Sequence, residues 1–137
     1  MIVFNKEVVF QFQNEDFLVK WIGEVVEKEN YREGELSFIF CSDAFLLEKN
    51  MEFLKHDTLT DIISFDYTIG SLVSGDIFIS IERVIENAAA FKVSFEDELH
   101  RVMVHGILHY CGYRDNERDD KELMRSKEDY YLSLRQF

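Results

Sequence analysis

Apolar positions recur along this chain with two different periods, and the switches between them mark its elements. From Ile2 to Phe12, IVFNKEVVFQF alternates apolar and polar residues, which predicts a strand. Asn14 then stands as N-cap for a helix to about Glu29, with Phe17, Leu18, Trp21, Ile22, Val25 and Val26 at helical spacing. After a turn at Gly34, ELSFIFCS predicts a second strand. Ser42 can cap a helix containing Ala44, Phe45, Leu46, Leu47, Met51 and Leu54.

TDIISFDY, from Thr60 to Tyr67, is β-branched and aromatic and predicts a third strand, and GDIFISIERV from Gly75 a fourth. A helix follows from about Ile81 to Phe91. The next begins near Ser94, where Asp97 three positions on makes a shortened capping box. That helix carries Val102, His105, Leu108 and His109 and ends at Gly112. The segment from about Glu117 to Leu134, with Leu123, Met124, Tyr130, Tyr131 and Leu134 among charges, reads as a terminal amphipathic helix. Strands early and helices late imply an α+β (mixed α/β) fold: a mixed sheet of about four strands with helices packed over it.

Composition narrows the class. With 137 residues, no proline and no low-complexity stretch, residues 1–137 are expected to form one domain without an internal linker or repeat. Thirteen Phe and six Tyr supply an aromatic core. Cys41 and Cys111 lack any metal-binding spacing and read as buried thiols in a reducing compartment. No leader-like segment or long apolar run is present, so a cytoplasmic location without membrane contact is expected. The formal net charge of −12 opposes long-range attraction to nucleic acid and weighs against a general RNA-binding surface. It does not oppose a bound cation.

The stretch HGILHYCGYRDNERDD is where such a cation fits. His105 and His109, four apart on a helix, present their rings on one face, as the two histidines of HExxH zinc enzymes do. Gly112 lets the chain turn back and bring Asp115 toward the same ion, and a carboxylate oxygen is a competent third ligand. An anionic ligand in place of a neutral imidazole makes a bound water less acidic and favours a wider range of metals, manganese included. The competing reading is a core and a surface histidine sharing a face by chance; Asp119 and Asp120 are alternative ligands or a solvated helix start. A peptidase reading lacks its base, because Gly106 stands where HExxH enzymes carry glutamate. Gly106 leaves room for substrate or for close packing.

HGILHYCGYRD resembles the HGxLHLxGYDH signature of the YbeY family of metal-dependent endoribonucleases, whose three histidines bind zinc. TDIISF resembles the family's TDVLSF strand, GDIFIS its GDIxIS strand, ELHRVMVHG its ligand helix and MRSKE the MxxxE pattern of its terminal helix. Order and spacing agree over about positions 45 to 130. The resemblance implies a cleft with one ion near TDIISF, most simply Zn2+ or else Mn2+, held by His105, His109 and, where the family has histidine, Asp115. It further implies cleavage of single-stranded RNA, with ribosomal RNA or the small subunit as partner, in small-subunit RNA maturation and ribosome quality control. No DNA partner is implied.

A second departure lies upstream of the TD strand. The family often has arginine in a YRxKDxPTD stretch, and here FLKHDTLTD puts Leu54 in its place. Lys55 and His56 are neighbours that could take over substrate contact, as could Arg114, while Arg101 sits one turn before His105. Asp61 and Ser64 could orient water or substrate, although Asp61 can equally cap a strand end. The rival to an enzyme is a ribosome-assembly factor, working alone or with other assembly factors, whose metal is structural.

Overall fold

The computed structural model describes residues 1–54 and 60–137, with residues 53 and 54 described by their backbone alone. Lys55 and His56 therefore lie outside the described residues. Strands β1 (Ile2–Lys6), β2 (Arg32–Cys41), β3 (Ile62–Asp66) and β4 (Leu72–Ser80) form one sheet in the order β1-β2-β4-β3. The first three in that order run parallel and β3 is antiparallel to β4. Helices α1 (Glu15–Lys28), α2 (Asp43–Lys49), α3 (Ile81–Phe91), α4 (Phe95–Tyr110) and α5 (Arg118–Ser133) complete the expected α+β fold, with a π-helical turn, Asn50–Leu54, extending α2.

The sheet is covered unequally. Phe38 and Phe40 of β2 and Ile77 and Ile79 of β4 are fully buried in a large core with α1, α4 and α5. Cys41, Leu46 and Ile63 make a smaller cluster with Phe45 and Phe78. Along β3, Ile62 joins the large core and Ile63 the small one, as the two-residue period of a strand requires.

Three expectations need correction. The first strand stops at Lys6, not Phe12. Phe10 and Phe12 do alternate, but they spend that alternation packing on Phe40, at ring centroid distances of 5.3 and 4.8 Å, outside the ladder. Gly34 is not a turn between elements: β2 begins at Arg32, and the register shifts between Glu33 and Leu36, so the glycine sits inside an irregularity of the strand. Asn14 precedes α1 in a left-handed conformation, φ 64°, and its side chain makes no capping bond.

Both serine caps match the expectation. Ser42 accepts from the Phe45 N–H and Ser94 from the Asp97 N–H, each capping its helix. Asp97 does not close a capping box, since its carboxylate accepts from Arg135 Nη2 at 2.8 Å. Of the terminal helix, Met124 and Tyr131 are buried whereas Leu123 and Tyr130 are exposed. Both cysteines are free and buried. No helix among the described residues is long and apolar enough to cross a membrane.

Candidate metal centre

The last turn of α4 builds the centre. Gly112 adopts φ +96°, the Tyr113 N–H reaches back to the Leu108 carbonyl and the Gly112 N–H to that of His109. This Schellman arrangement ends the helix and reverses the chain. Its result is that the Tyr113 carbonyl accepts from His109 Nδ1 at 2.9 Å and Asp115 swings back beside the histidines. Gly106, one residue after His105, is explained by packing: a Cβ there would lie 3.0 Å from Ile77 Cδ1 and 3.2 Å from Ile62 Cδ1. The absent side chain lets α4 lie close on β3 and β4, which sets the depth of His105.

His105 Nε2 lies 3.0 Å from His109 Nε2 and 3.7 Å from an Asp115 oxygen. One donor atom from each of the three residues falls within 4.8 Å of the others. The outer ring nitrogens are both engaged, because His105 Nδ1 meets Glu128 Oε2 at 2.6 Å. A carbonyl only accepts, so His109 carries its hydrogen on Nδ1, and the Glu128 carboxylate draws that of His105 to Nδ1 likewise. Both Nε2 lone pairs then face each other, a repulsion that a proton or a metal ion relieves. Two imidazole nitrogens on tetrahedral zinc stand roughly 3.3 Å apart, given bonds of about 2.05 Å, so the donor set fits a divalent ion with little movement. Carboxylate and carbonyl acceptors behind ligand histidines are the usual supports of such sites.

Charge follows the same geometry. Burial alone would lower the pKa of His105, but the Glu128 hydrogen bond and charge, with Asp115 and Asp61, outweigh it and the pKa is raised. Burial and the charge of His105 lower that of His109. A cavity of about 330 Å3 opens beside His105 and Asp115 and is lined further by Asp61, Glu98, Arg101 and Glu128. Burial pushes the Asp61 carboxyl above its ordinary range. Glu98, 5% exposed, is raised by burial and by the Asp61 charge.

The candidate residues are thus brought together unevenly. Asp61 stands at the cavity, and its own carbonyl accepts from the Ser80 N–H at 3.0 Å where β3 meets β4. Arg101 lines the cavity with its guanidinium committed, Nη1 to Glu128 at 2.9 Å and Nη2 to Asp129 at 2.6 Å. Ser64 sits on β3 outside the cavity lining, beside Phe65, whose carbonyl accepts from the Tyr110 hydroxyl at 3.0 Å. Arg114 is exposed and lines a different depression, with Tyr31, Tyr113 and Asp120. Neither Asp119 nor Asp120 belongs to the donor group.

Two residues of the site had been given no role. Glu128 lies on the buried stripe of α5 between Met124 and Tyr131, a carboxylate at apolar spacing, and that spacing is the signal for it. Glu98 shares the α4 stripe with Val102, His105 and His109, and is readable in the same way.

Comparison with known proteins agrees with the geometry. A protein of Flavobacterium psychrophilum named Endoribonuclease YbeY is 57% identical over 134 residues, 98% of this chain and 96% of the relative. One of the same name from Flavobacterium johnsoniae is 56% identical over the same shares. A solution structure from Thermotoga maritima, 28% identical, superposes with a TM-score of 0.67 over 97% of this chain and 87% of the other. The sequence profile described as Endoribonuclease YbeY matches residues 3–135, and the chain belongs to that family.

Proposed function

We propose that this chain is a metal-dependent endoribonuclease that cuts single-stranded RNA, with zinc as the ion held by His105, His109 and Asp115. The observation that carries the metal is the pair of Nε2 atoms at 3.0 Å with both Nδ1 atoms engaged behind them. Family membership supports the reaction class, since the relatives are named for it. A divalent ion in this place supplies Lewis-acid stabilisation of charge on a phosphoryl group.

The chain's own residues carry the rest. His105 and His109 are fixed in tautomer and orientation by Glu128 and the Tyr113 carbonyl. Asp61 is the residue we assign to take the proton of the attacking oxygen, supported by its place on the cavity wall and by burial that raises its proton affinity. The charges of His105 and Glu128 act on it in opposite directions, the first lowering and the second raising its proton affinity. We further propose small-subunit ribosomal RNA as substrate, in its maturation and in ribosome quality control, within the cytoplasm. This rests on the resemblance of the ligand and strand motifs to that family.

One observation favours a second reading. A net charge of −12 suits a ribosome-assembly factor with a structural metal better than a nuclease with a broad RNA surface. Metal-stripped protein tested on a short single-stranded RNA, then again with zinc or manganese, separates the two. Cleavage that stops with chelator, returns with metal and is abolished in His109→Ala is expected. If metal removal unfolds the protein and no preparation cuts, the structural reading replaces it. Asp115→Ala should lower metal occupancy severalfold, and unchanged stoichiometry by elemental analysis would remove Asp115 from the ligand set.

A further inference from the structure

The cavity that contains His105 and Asp115 does not end at α4. Its far wall is α5, where Met124 and Glu128 turn inward and Lys121 and Arg125, on the same side of the helix, stand exposed at the rim. A second depression of about 640 Å3 shares Lys121 and Arg125 with the cavity and is lined further by Asn116 and Arg118, with the carboxylates of Glu122 and Asp129 also on its wall. Lys121 and Arg125 are one helical turn apart, about 6 Å along the axis, and line both the metal cavity and this outer groove.

Arg101 is held by Glu128 and Asp129, Arg118 by Glu122 and Arg135 by Asp97. The side chains of Lys121 and Arg125 make no ion pair or hydrogen bond among the described residues, although the Arg125 charge reaches Glu98 through space and lowers its proton affinity. In a protein of net charge −12, two cations outside any salt bridge at the rim of the cavity are placed to meet an anion that comes from outside. The cavity wall is otherwise rich in carboxylates, Asp61, Glu98 and Asp115 among them, which repel a polyanion. Cations at the rim offset that repulsion where the strand must cross.

We propose that Lys121 and Arg125 form a phosphate-binding subsite on α5 that holds the RNA backbone next to the cleaved linkage and leads the strand from the metal cavity into the outer groove. This rests on the ribonuclease reading and adds the path of the substrate to it. The contacts are to phosphates, so the subsite takes any single-stranded sequence and its contribution is screened by salt.

The test uses metal-loaded, full-length protein and a fluorescent 2′-O-methyl 12-nucleotide RNA, which binds without being cut. Binding is measured by anisotropy across a salt series. Each phosphate contact on a single strand contributes about 0.7 to the slope of log affinity against log salt, so Lys121→Gln/Arg125→Gln should lower the slope by about 1.4. Affinity near 0.1 M salt should fall tenfold or more. Both side chains are exposed, so melting temperature and metal content should not change, and Lys20→Gln on α1 should behave as wild type. Arg125→Lys should restore most of the slope that Arg125→Gln loses, which a merely structural role would not do. Wild type that binds RNA while the double variant keeps its slope overturns the subsite alone. Wild type that neither binds nor cuts single-stranded RNA overturns the ribonuclease reading and the subsite with it.

Discussion

Glu128 offers the sharpest test of how the centre is built, because one buried carboxylate serves two donors. Oε1 accepts from Arg101 and Oε2 from His105 Nδ1, and its side chain is 7% exposed. Glu128→Ala removes both acceptors. Hydrogen bonds to charged groups are worth roughly 1.5–3 kcal/mol each, and breaking a buried pair costs about 3–5 kcal/mol. Arg101 keeps Asp129 and is partly exposed, which places the metal-free loss near the lower bound, about 3 kcal/mol. His105 also loses the support that fixes its ring, and removal of such a support costs 10–100-fold in metal affinity, about 1.4–2.7 kcal/mol. By linkage the same increment adds to the destabilisation when metal is saturating, for a total near 5 kcal/mol. Urea unfolding with and without zinc gives the two stabilities, and competition with a chromophoric chelator gives the affinity independently. Glu128→Gln, which keeps the shape and one acceptor, should fall between. Affinity within twofold of wild type in Glu128→Ala would refute the assignment of Glu128 as the support of His105.

Three further outcomes follow from the packing and from buried charge. Gly106→Val places atoms against Ile77 and Ile62 and should cost about 1–3 kcal/mol in denaturant unfolding; no loss would mean that α4 can lift off the sheet freely. His100 is held neutral, its pKa lowered to about 4 by burial and by Arg135, whose Nη1 donates to Nδ1 at 2.7 Å. The unfolded chain binds that proton near pH 6.5, so the His100 contribution should be constant above that pH and fall by up to ~3 kcal/mol as pH drops to about 4, read as the difference between wild type and His100→Gln; a difference that does not change with pH would contradict it. Glu29 accepts from the Tyr113 and Tyr131 hydroxyls and from Lys127, which together outweigh burial and lower its pKa. Its contribution should be complete above about pH 4.5 and lost as pH falls through its lowered value, and Glu29→Gln should cost about 1–3 kcal/mol at neutral pH, measured as a change in urea midpoint at constant m.

What could be read from the sequence was what is local along the chain. His105, His109, Gly112 and Asp115 fall within eleven residues, and helix period plus a glycine stop is enough to place them. Ser42 and Ser94 are equally local, and both cap as expected. Failures came where a local pattern was satisfied by distant partners. Phe10 and Phe12 alternate because Phe4 and Phe40 receive them, a contact with no signature of its own. Asn14 has the right identity for a cap but adopts a left-handed backbone instead. That β4 inserts between β2 and β3 depends on pairings such as Phe38 with Ile77, 39 residues apart, which no window reveals. Glu128 closes the MRSKE stretch, but nothing local to it tells what it touches. A search for apolar periodicity passes over a charged residue on the apolar stripe, although such a residue, buried only because it has partners, marks a built polar site.

That distinction changes where the centre is understood to reside. The motif on α4 supplies two imidazoles and a turn, but neither ring is held by α4 alone. His105 is fixed directly by Glu128 of α5. His109 is fixed by the Tyr113 carbonyl, and Tyr113 is anchored through its hydroxyl to Glu29, the same carboxylate that receives Tyr131 and Lys127 of α5. Helix α5 is in turn pinned to α1 by the Trp21 indole N–H donating to the Tyr131 carbonyl at 2.8 Å. Loosening α5 therefore releases His105 directly and takes from Glu29, the anchor of Tyr113, two of its three side-chain donors. Metal binding, which needs both Nε2 lone pairs aimed at one point, draws α5 down through the same contacts. The donor geometry is a property of three packed helices, and the α4 motif is the part of it that happens to be contiguous.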